Sequence, residues 1–391
     1  MADHAILSPS SASRWLACPP SARLESRFPD TSGTAVKEGT LAHSLGELLI
    51  RYKSGEIKKA QYTKALAEIE TDPLYEDVMF EHCDNYATYV IEQFNAAQVH
   101  TKDALLFIEQ KLDLTKYIPE GFGTGDAGII ADTTLTCVDL KYGKGVAVSA
   151  VGNKQMKLYA LGWLNKFESV YDITAVKMVI YQPRLDTVSE FEISVVELKQ
   201  WAANELIPLA ALAFEGKGDF APGDHCRFCK ARATCRANAE YNLEIAKYDF
   251  KEGNLLTDEE IADILNRADR FKKWVNGMEE YALTEAVNNG KVFPGFKLVE
   301  GRSNRAYGDE SAVATKLLTD VKLTEEEIYT KKIIGITALE KLLGKKAFEE
   351  YISPLVVKPA GKPTLVPESD KRPAINTLEA AKVDFATEVD E

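Results

Sequence analysis

The sequence predicts an α/β protein with a helical region before its sheet and a helical extension after it. Between residues 105 and 182, short apolar or β-branched runs separated by glycine, aspartate and threonine surround one helical pattern, which gives the order β-β-β-α-β. Residues 38–100 instead carry apolar side chains at helical spacing. After residue 250, a capping box at Thr257–Glu260 begins a long amphipathic pattern that we expect to end at Gly290.

Caps and spacing predict the individual elements in chain order. Ser10 is expected to cap a short helix that Pro19 ends, and Thr40 is expected to cap the second helix. Helical spacing continues over roughly residues 60–100. Strands are expected over 105–112, 128–131, 135–141 and 175–182, and helices over 153–167 and 195–214.

The C-terminal part is expected to be mainly helical. After the long helix we expect a short strand over 296–300 and two helices capped by Thr324 and Thr337. Residues 358–391 contain four prolines and an acidic end, which predicts disorder. The predicted parts are a domain over 1–240, a helical domain over 250–357 and the tail.

Composition and charge exclude several classes of protein. The chain has 391 residues, of which 45% are hydrophobic and 27% charged, as in globular proteins. The net charge of -13 excludes a protein that coats DNA through overall positive charge. The sequence contains no run of about 18 apolar residues, so we expect no membrane span. The absence of a signal-peptide pattern and the uneven placing of six cysteines predict a cytoplasmic chain rather than a disulfide scaffold.

Two carboxylates and a lysine form the first candidate site. Asp126 lies on one predicted strand, and Asp139-Leu140-Lys141 follows thirteen residues later on the next. Strand alternation places Asp139 and Lys141 side by side and points Leu140 into the core. Two carboxylates provide oxygen ligands for Mg²⁺, and an adjacent lysine can position or deprotonate water for phosphodiester hydrolysis. A hairpin with solvated charges is the alternative interpretation.

Three further side chains extend this pattern. Gln155 and Tyr159 lie four residues apart on the next predicted helix and therefore face one way. His43, on an early helix, could supply an imidazole ligand, although a structural histidine is the alternative. The order His, Gly-Thr-Gly-Asp, Asp-X-Lys, Gln-X-X-X-Tyr resembles the RecB-like branch of the PD-(D/E)XK nucleases, which includes CRISPR-associated RecB-like exonucleases and the nuclease domains of helicase–nuclease complexes.

This resemblance covers residues 1 to about 240 and implies both a fold and an activity. The fold would be a restriction-endonuclease-like core over about 105–215, with a mixed sheet flanked by helices. The activity would be that of a Mg²⁺- or Mn²⁺-dependent DNA exonuclease. The second acid is often glutamate in these enzymes, whereas this chain has an aspartate, which shortens its reach. The resemblance implies metal ligation by His43, Asp126, Asp139 and the Leu140 carbonyl, catalysis by Asp126, Asp139 and Lys141, and contacts of Gln155 and Tyr159 with the lysine and DNA.

A cysteine motif of the form C-x₂-C-x₅-C is the second candidate site. Three thiolates need a fourth ligand, for which Cys18 and His225 are candidates, whereas Cys83 and Cys137 are expected in the core. From the residues alone, zinc held by four cysteines or by three cysteines and His225 remains open. The motif consists of Cys226, Cys229 and Cys235.

The RecB-like resemblance implies a different metal at the cysteines. In that family, one N-terminal and three C-terminal cysteines with this spacing hold a 4Fe–4S cluster. The same ligands would here join the start of the chain to the end of the predicted nuclease domain. They would be Cys18, Cys226, Cys229 and Cys235.

Local basic patches could provide the DNA contacts that the net charge does not. The patches are also consistent with ordinary solvated surfaces. The whole chain, including Pro294–Arg302, resembles an uncharacterised phage and prophage family. DNA and a phage recombination or replication protein are therefore the expected partners, and a non-catalytic DNA-binding or recombination-accessory protein is the alternative function. The patches contain Lys141, Lys144, Lys154 and Lys157 in one segment and Arg227, Lys230, Arg232 and Arg236 in the other.

Overall fold

The structure is a computed structural model, and its contacts divide the chain into two units. The first unit is Met1–Lys291 and the second is Val292–Glu391. The long helix that begins after Thr257 therefore belongs to the first unit, whereas the sequence-based boundary lies at residue 250. The structure describes residues 5–29, 33–244, 256–299, 309–320, 322, 324–329 and 335–356.

The described residues form one mixed five-stranded sheet whose strands follow each other in chain order. The first three strands are antiparallel neighbours, the fourth runs parallel to the third, and the fifth is antiparallel to the fourth. The parallel step needs a crossover, which a helix between the third and fourth strands provides. The predicted α/β class is therefore confirmed. The strands are β1 (Leu105–Asp113), β2 (Phe122–Ala131), β3 (Thr134–Leu140), β4 (Ala175–Gln182) and β5 (Thr187–Ser194).

Helices lie on both faces of the sheet. None of the described helices is long and apolar enough to cross a membrane. The helix predicted over 195–214 consists of two α-helices, Val195–Trp201 and Ile207–Glu215, joined by a π-helical turn over Ala202–Leu206. The helices of the first unit are α1 (Ala12–Ala17), α2 (Ser21–Glu25), α3 (Thr34–Lys53), α4 (Lys59–Glu70), α5 (Asp77–His100), α6 (Lys154–Phe167), α7 (Val195–Trp201), α8 (Ile207–Glu215), α9 (Arg236–Leu243) and α10 (Asp258–Asn289).

Each face of the sheet has its own apolar core. On one face α1, α6, α7 and α8 pack around Trp163, which is 1% exposed. On the other face α3 and α5 pack around Leu45 and Tyr86. The thiols of Cys137 and Cys83 lie in the first and second core respectively, as predicted. Both faces of the sheet are therefore covered, as is usual for sheets that contain parallel strands, because the crossover helices pack on the sheet.

Two predicted N-terminal caps are wrong, and one strand was missed. Ser10 lies within a 3₁₀ turn, and Ser11 is the N-cap of α1. Thr40 lies inside α3, which begins at Thr34, and its Oγ1 donates to the Val36 carbonyl at 3.1 Å within the helix instead of capping its end. β5 was not predicted, although its apolar and acidic residues alternate with the period of a strand.

The second unit is helical in its described residues. The helix predicted from Thr324 begins at Glu325, whereas the next begins after Gly335, so Thr337 is not its cap. Residues 296–299, where a strand was expected, have no strand structure. The predicted disordered tail, 358–391, lies outside the described residues. The helices are α11 (Glu310–Thr319), α12 (Glu325–Ile328), α13 (Ile336–Leu343) and α14 (Lys345–Tyr351).

Candidate functional site

The predicted carboxylates meet where β2 and β3 stop pairing. The last pair of this ladder joins Ala127 to Val138, so Asp126 and Asp139 lie immediately beyond it. Asp126 Oδ2 accepts the main-chain N–H of Leu140 at 2.8 Å. A side chain therefore replaces the ladder hydrogen bond, which fixes a carboxylate in the gap between the two strand ends.

Asp139 and Lys141 lie side by side, as strand alternation predicts. Lys141 Nζ is 2.7 Å from Asp139 Oδ2, and Leu140 between them is fully buried in the core. Asp139 is 2% exposed, and within the described part of the chain no donor reaches its Oδ2 with hydrogen-bond geometry. Burial raises the pKa of Asp139, an effect that Lys141 opposes and Asp126 reinforces. The ion pair with Lys141 is thus the main compensation for this buried charge.

His43 contacts the same carboxylate oxygen that bonds Leu140. Its Nδ1 lies 3.2 Å from Asp126 Oδ2. Burial alone would lower the pKa of His43, but the charge of Asp126, its hydrogen bond and the charge of Asp139 raise it to about 9. Conversely, burial would raise the pKa of Asp126, but the charge and hydrogen bond of His43, the charge of Lys141 and the hydrogen bond from Leu140 N together lower it. The metal-free pair is therefore ionic at neutral pH, and a divalent cation would have to displace the imidazole proton.

Glu109 is the site residue that the sequence analysis missed. A ligand atom from each of Glu109, His43 and Asp126 lies within 4.8 Å of the other two. Burial, followed by the charges of Asp126 and Glu47, raises the pKa of Glu109 to about 8. Two carboxylates and an imidazole at this separation form a donor set that suits Mg²⁺ or Mn²⁺.

A local irregularity in β1 brings Glu109 to this position. Glu109 has a φ of 46°, in the left-handed region that glutamate rarely adopts. It has no partner in the β1–β2 register, which pairs Ile108 with Ala127 and Gln110 with Gly125. As a result Phe107 and Leu112, an odd number of residues apart, both pack in the core on the α6 side. The apolar run over 105–112 contains no sign of this change of phase, so a regular strand was predicted.

The first turns of α6 supply the predicted Gln155 and Tyr159. Gln155 Nε2 donates to Tyr159 Oη at 2.9 Å. Burial raises the pKa of Tyr159, and Asp139 and Asp126 raise it further, so its hydroxyl remains protonated beside these carboxylates. Among the described residues, no hydrogen bond joins either side chain to Lys141. A role in positioning the lysine therefore stays a prediction.

The glycines beside Asp126 allow α6 to approach β2 closely. A Cβ on Gly125 would lie 2.7 Å from Trp163 Nε1, and one on Gly128 would lie 2.8 Å from Trp163 Cζ2. Neither distance is possible without displacing the indole or the strand. The sequence analysis expected this strand over 128–131 with Asp126 at its start, whereas β2 begins at Phe122. Glycine at positions 125 and 128 leaves the space that the Trp163 indole occupies.

The four predicted cysteine ligands line a single pocket. In the described residues, no three of their sulfurs lie within 4.8 Å of one another. Tetrahedral zinc with bonds of about 2.3 Å would hold sulfurs roughly 3.8 Å apart. His225 also lines the pocket, and within the described ranges its buried Nε2 has no hydrogen-bond partner. The cysteines are Cys18 at the end of α1 and Cys226, Cys229 and Cys235 in the loop before α9.

Main-chain donors face several of these thiols. Gly223 N donates to Cys226 Sγ at 3.4 Å. Burial raises the pKa of Cys18, and two backbone hydrogen bonds oppose that effect. Burial raises the pKa of Cys229 to about 12. Since main-chain N–H groups stabilise thiolate relative to thiol, the pocket combines burial with donors that suit metal-bound sulfur.

Helix α10 packs against the cysteine loop. Arg232 Nη2 lies 3.3 Å from a Glu280 carboxylate oxygen. The guanidinium of Arg270 lies over the ring of Tyr241 at 4.1 Å, and Trp274 is buried. A capping box predicts where such a helix begins but contains no information about the surface that it covers.

The basic side chains near α6 are partly neutralised. Lys154 is paired with Glu205, and Lys157 lies 4.7 Å from the centre of the Trp201 ring. Lys144 is exposed on the loop between β3 and α6. Lys144 is therefore the side chain of this segment best placed to meet an external phosphate.

Comparisons with known proteins give a family and a solved structure. The family model described as "Protein of unknown function (DUF2800)" matches residues 4–373. The solved structure described as "Crystal structure of SSO0001" matches with 13% sequence identity and a TM-score of 0.25, covering 56% of this chain and 95% of that chain. The family description names no activity, so the function has to be inferred from the residues of the site.

Proposed function

The chain belongs to the DUF2800 family, and from its own residues we propose that it is a metal-dependent DNA nuclease of the PD-(D/E)XK type. The observation that carries the proposal is the group of Asp126, Asp139 and Lys141 at the gap between β2 and β3. Burying two neighbouring carboxylates destabilises a fold unless cations compensate them. Such a cost is expected where the charges serve a reaction rather than packing.

The proposed chemistry is hydrolysis of a phosphodiester bond. A bound Mg²⁺ or Mn²⁺ would supply Lewis acidity and a bound water of lowered pKa. Asp139 holds the Lys141 ammonium, so that this positive charge can stabilise the charge that develops on the phosphate and can orient the attacking water. The protonated Tyr159 hydroxyl can donate to a phosphate oxygen. The ligands would be His43, Glu109, Asp126, Asp139 and the carbonyl of Leu140.

DNA is the proposed substrate, processed from an end in phage or prophage recombination, repair or replication. The support is the sequence resemblance together with the position of Lys144 on the loop that leaves the site. A chain of net charge -13 would bind DNA through such local cations, and the steepness of the salt dependence then reports how many phosphates they contact. The biological setting rests on the resemblance to phage and prophage proteins.

The test is digestion of end-labelled DNA by the full chain. Double- and single-stranded DNA, each labelled at the 5′ or the 3′ end, is incubated with Mg²⁺ or Mn²⁺. Release of short products from one end would identify an exonuclease and its polarity. Lys141→Ala should reduce hydrolysis by about 10²-fold or more, because it removes a charge that acts in the transition state.

Lys177→Ala is the matched control for the Lys141 variant. Lys177 pairs with Glu190 at 2.9 Å across β4 and β5 of the same sheet, so its removal breaks a comparable ion pair elsewhere. This control should keep wild-type hydrolysis. Wild-type protein that binds DNA but hydrolyses none with either metal would contradict the nuclease and support the DNA-binding alternative.

We also propose a 4Fe–4S cluster in the cysteine pocket. Its support is the convergence of four thiols on one pocket, together with the spacing of the cysteine motif. Protein purified without oxygen should be brown and contain roughly four irons per chain. Zinc without iron would contradict this proposal and favour a zinc site that includes either Cys18 or His225.

A further inference from the structure

Glu25 is a buried carboxylate that joins the two chain segments carrying the cysteines. It is the last residue of α2 and is 8% exposed. Its Oε2 accepts from Arg14 Nε at 3.0 Å, and its Oε1 accepts the main-chain N–H of Lys230 at 2.8 Å. Arg14 lies in α1, four residues before Cys18, and Lys230 directly follows Cys229. Each carboxylate oxygen therefore holds one side of the pocket.

The two bonds are directional, unlike the apolar contacts around them. A buried carboxylate is tolerated only where charged or polar partners compensate its lost hydration. Arg14 provides a charged partner, and the Lys230 N–H fixes the backbone of the loop immediately after Cys229. Arg14 also lines the cysteine pocket. Through its bonds to Arg14 and to Lys230 N, Glu25 thus links α1 to the cysteine loop.

We infer that Glu25 is a positioning residue for the metal of the cysteine pocket, and this inference rests on the proposed cysteine-bound cluster. Cys18 is separated from the other three ligands by some 200 residues, and closing so long a loop is unfavourable. Glu25 orders both ends of that loop before metal binds. Residues that orient metal ligands through hydrogen bonds typically change metal affinity by about 10–100-fold when they are replaced.

The test compares iron release from full-length variants purified without oxygen. Iron per chain is measured first, and then the rate at which excess chelator removes it from the folded protein. Glu25→Gln should lose iron about 10–100-fold faster than wild type. Its amide can still accept from Lys230 N, but it no longer carries the charge that pairs with Arg14. The visible spectrum and the electron paramagnetic resonance of the reduced protein should shift in parallel.

Glu38→Gln is the matched control. Glu38 on α3 accepts from Arg184 at 2.7 Å in a partly buried ion pair, away from the residues that line the cysteine pocket. It should lose a similar amount of thermal stability while releasing iron at the wild-type rate. Faster release in both variants, in proportion to their stability, would overturn the positioning role of Glu25.

Arg14→Gln keeps the inference testable if Glu25→Gln does not fold. It breaks the bond on the α1 side and leaves the bond to Lys230 intact. Faster iron release supports the inference, and release at the wild-type rate overturns it. Wild-type protein without iron instead contradicts the cluster proposal itself. If zinc is present, the same release measurement with a zinc chelator decides the role of Glu25.

Discussion

Asp126 Oδ2 accepts the main-chain N–H of Leu140 at 2.8 Å and lies 3.2 Å from His43 Nδ1. One oxygen atom therefore joins three elements, because Asp126 lies on β2, Leu140 on β3 and His43 on α3. The bond to Leu140 maintains the backbone beyond the last ladder pair, whereas the contact with His43 belongs to the candidate metal ligands. These structural and chemical roles can be separated by substitution.

Asp126→Asn should fold but lose activity. Its amide oxygen can still accept from Leu140, whereas the missing charge should reduce Mn²⁺-supported hydrolysis by about 10²-fold or more. Asp126→Ala should in addition lose about 1–3 kcal/mol of unfolding free energy, because it leaves a buried N–H without an acceptor. Urea unfolding of both metal-free variants measures the difference. Equal stability of the two variants would contradict the structural role.

The alternation of β3 could be predicted because it depends on neighbours in the sequence. Asp139 and Lys141 share a face and Leu140 is buried, as expected from a strand with period two. The predicted cap and end of α10 are also correct, since the Thr257 side chain accepts from Glu260 N and Gly290 has a left-handed backbone conformation. These features are local, and the sequence specifies them directly.

The features that could not be predicted depend on tertiary contacts. Glu109 reaches the site through a left-handed residue inside a strand, and nothing near it in the sequence favours that conformation. The reason for glycine at positions 125 and 128 becomes clear only from the position of Trp163, whose indole occupies the space of a Cβ. Thr40 has the chemistry of a cap, but its helix begins six residues earlier, at Thr34 after the N-cap Gly33.

Glu109→Gln should stabilise the metal-free protein at high pH. Burial and the neighbouring charges raise the pKa of Glu109 from 4.5 to about 8. For a carboxyl with a raised pKa, stability is lost as pH rises from the unfolded-state pKa through the folded-state pKa. At pH 9, the metal-free variant should therefore unfold at a higher urea concentration than wild type.

The same Glu109 variant should bind metal more weakly. Removing one of three donor groups should raise the Mn²⁺ concentration for half-maximal hydrolysis by about tenfold or more. Glu192→Gln, which replaces an exposed carboxylate on β5, is the control and should change neither property. Wild-type Mn²⁺ dependence in Glu109→Gln would exclude Glu109 from the metal ligands.

His43 should make the stability of the metal-free protein depend on pH in a defined window. Burial would lower the pKa of His43, but Asp126 and Asp139 raise it from 6.5 to about 9. A raised histidine pKa stabilises the folded state fully below about pH 6.5, and this contribution is lost as pH rises through 9. The difference in unfolding free energy between wild type and His43→Gln should shrink over this range.

The control for this titration is His100→Gln, which replaces an exposed histidine in the last turn of α5. It should follow the wild-type curve. Mn²⁺ should bind wild-type protein more tightly as pH rises, because the metal competes with the proton on His43. A difference between wild type and His43→Gln that is constant from pH 6 to 10 would contradict the ion pair with Asp126.

Gly125→Ala and Gly128→Ala should each destabilise the fold. The added Cβ would lie 2.7 Å and 2.8 Å from atoms of the Trp163 indole, which is itself 1% exposed and has little room to move. Overpacking of this kind costs about 1–3 kcal/mol. Gly145→Ala is the control, since a Cβ there has no neighbour within 4 Å in the described residues, and it should change stability by less than about 0.5 kcal/mol.

The six cysteines should divide into four that hold metal and two that do not. Cys83 is fully buried and its Sγ donates to the Ala42 carbonyl at 3.3 Å, while Cys137 is 2% exposed. Burial raises the pKa of Cys83 to about 12 and raises that of Cys137 as well, so neither offers an accessible thiolate. Cys83→Ser can retain the bond to Ala42, and this variant and Cys137→Ala should keep the metal.

Cys18→Ser should lose the metal and loosen the N-terminal helices, because it removes the ligand that connects α1 to the cysteine loop. Metal content per chain, followed by limited proteolysis, measures both effects, and cleavage near residues 12–25 should appear earlier than in wild type. Alkylation of the metal-free protein should reach the half-buried Cys226 and Cys235 before Cys83 and Cys137. Metal retained by Cys18→Ser would instead make His225 the fourth ligand, since its buried Nε2 lines the same pocket.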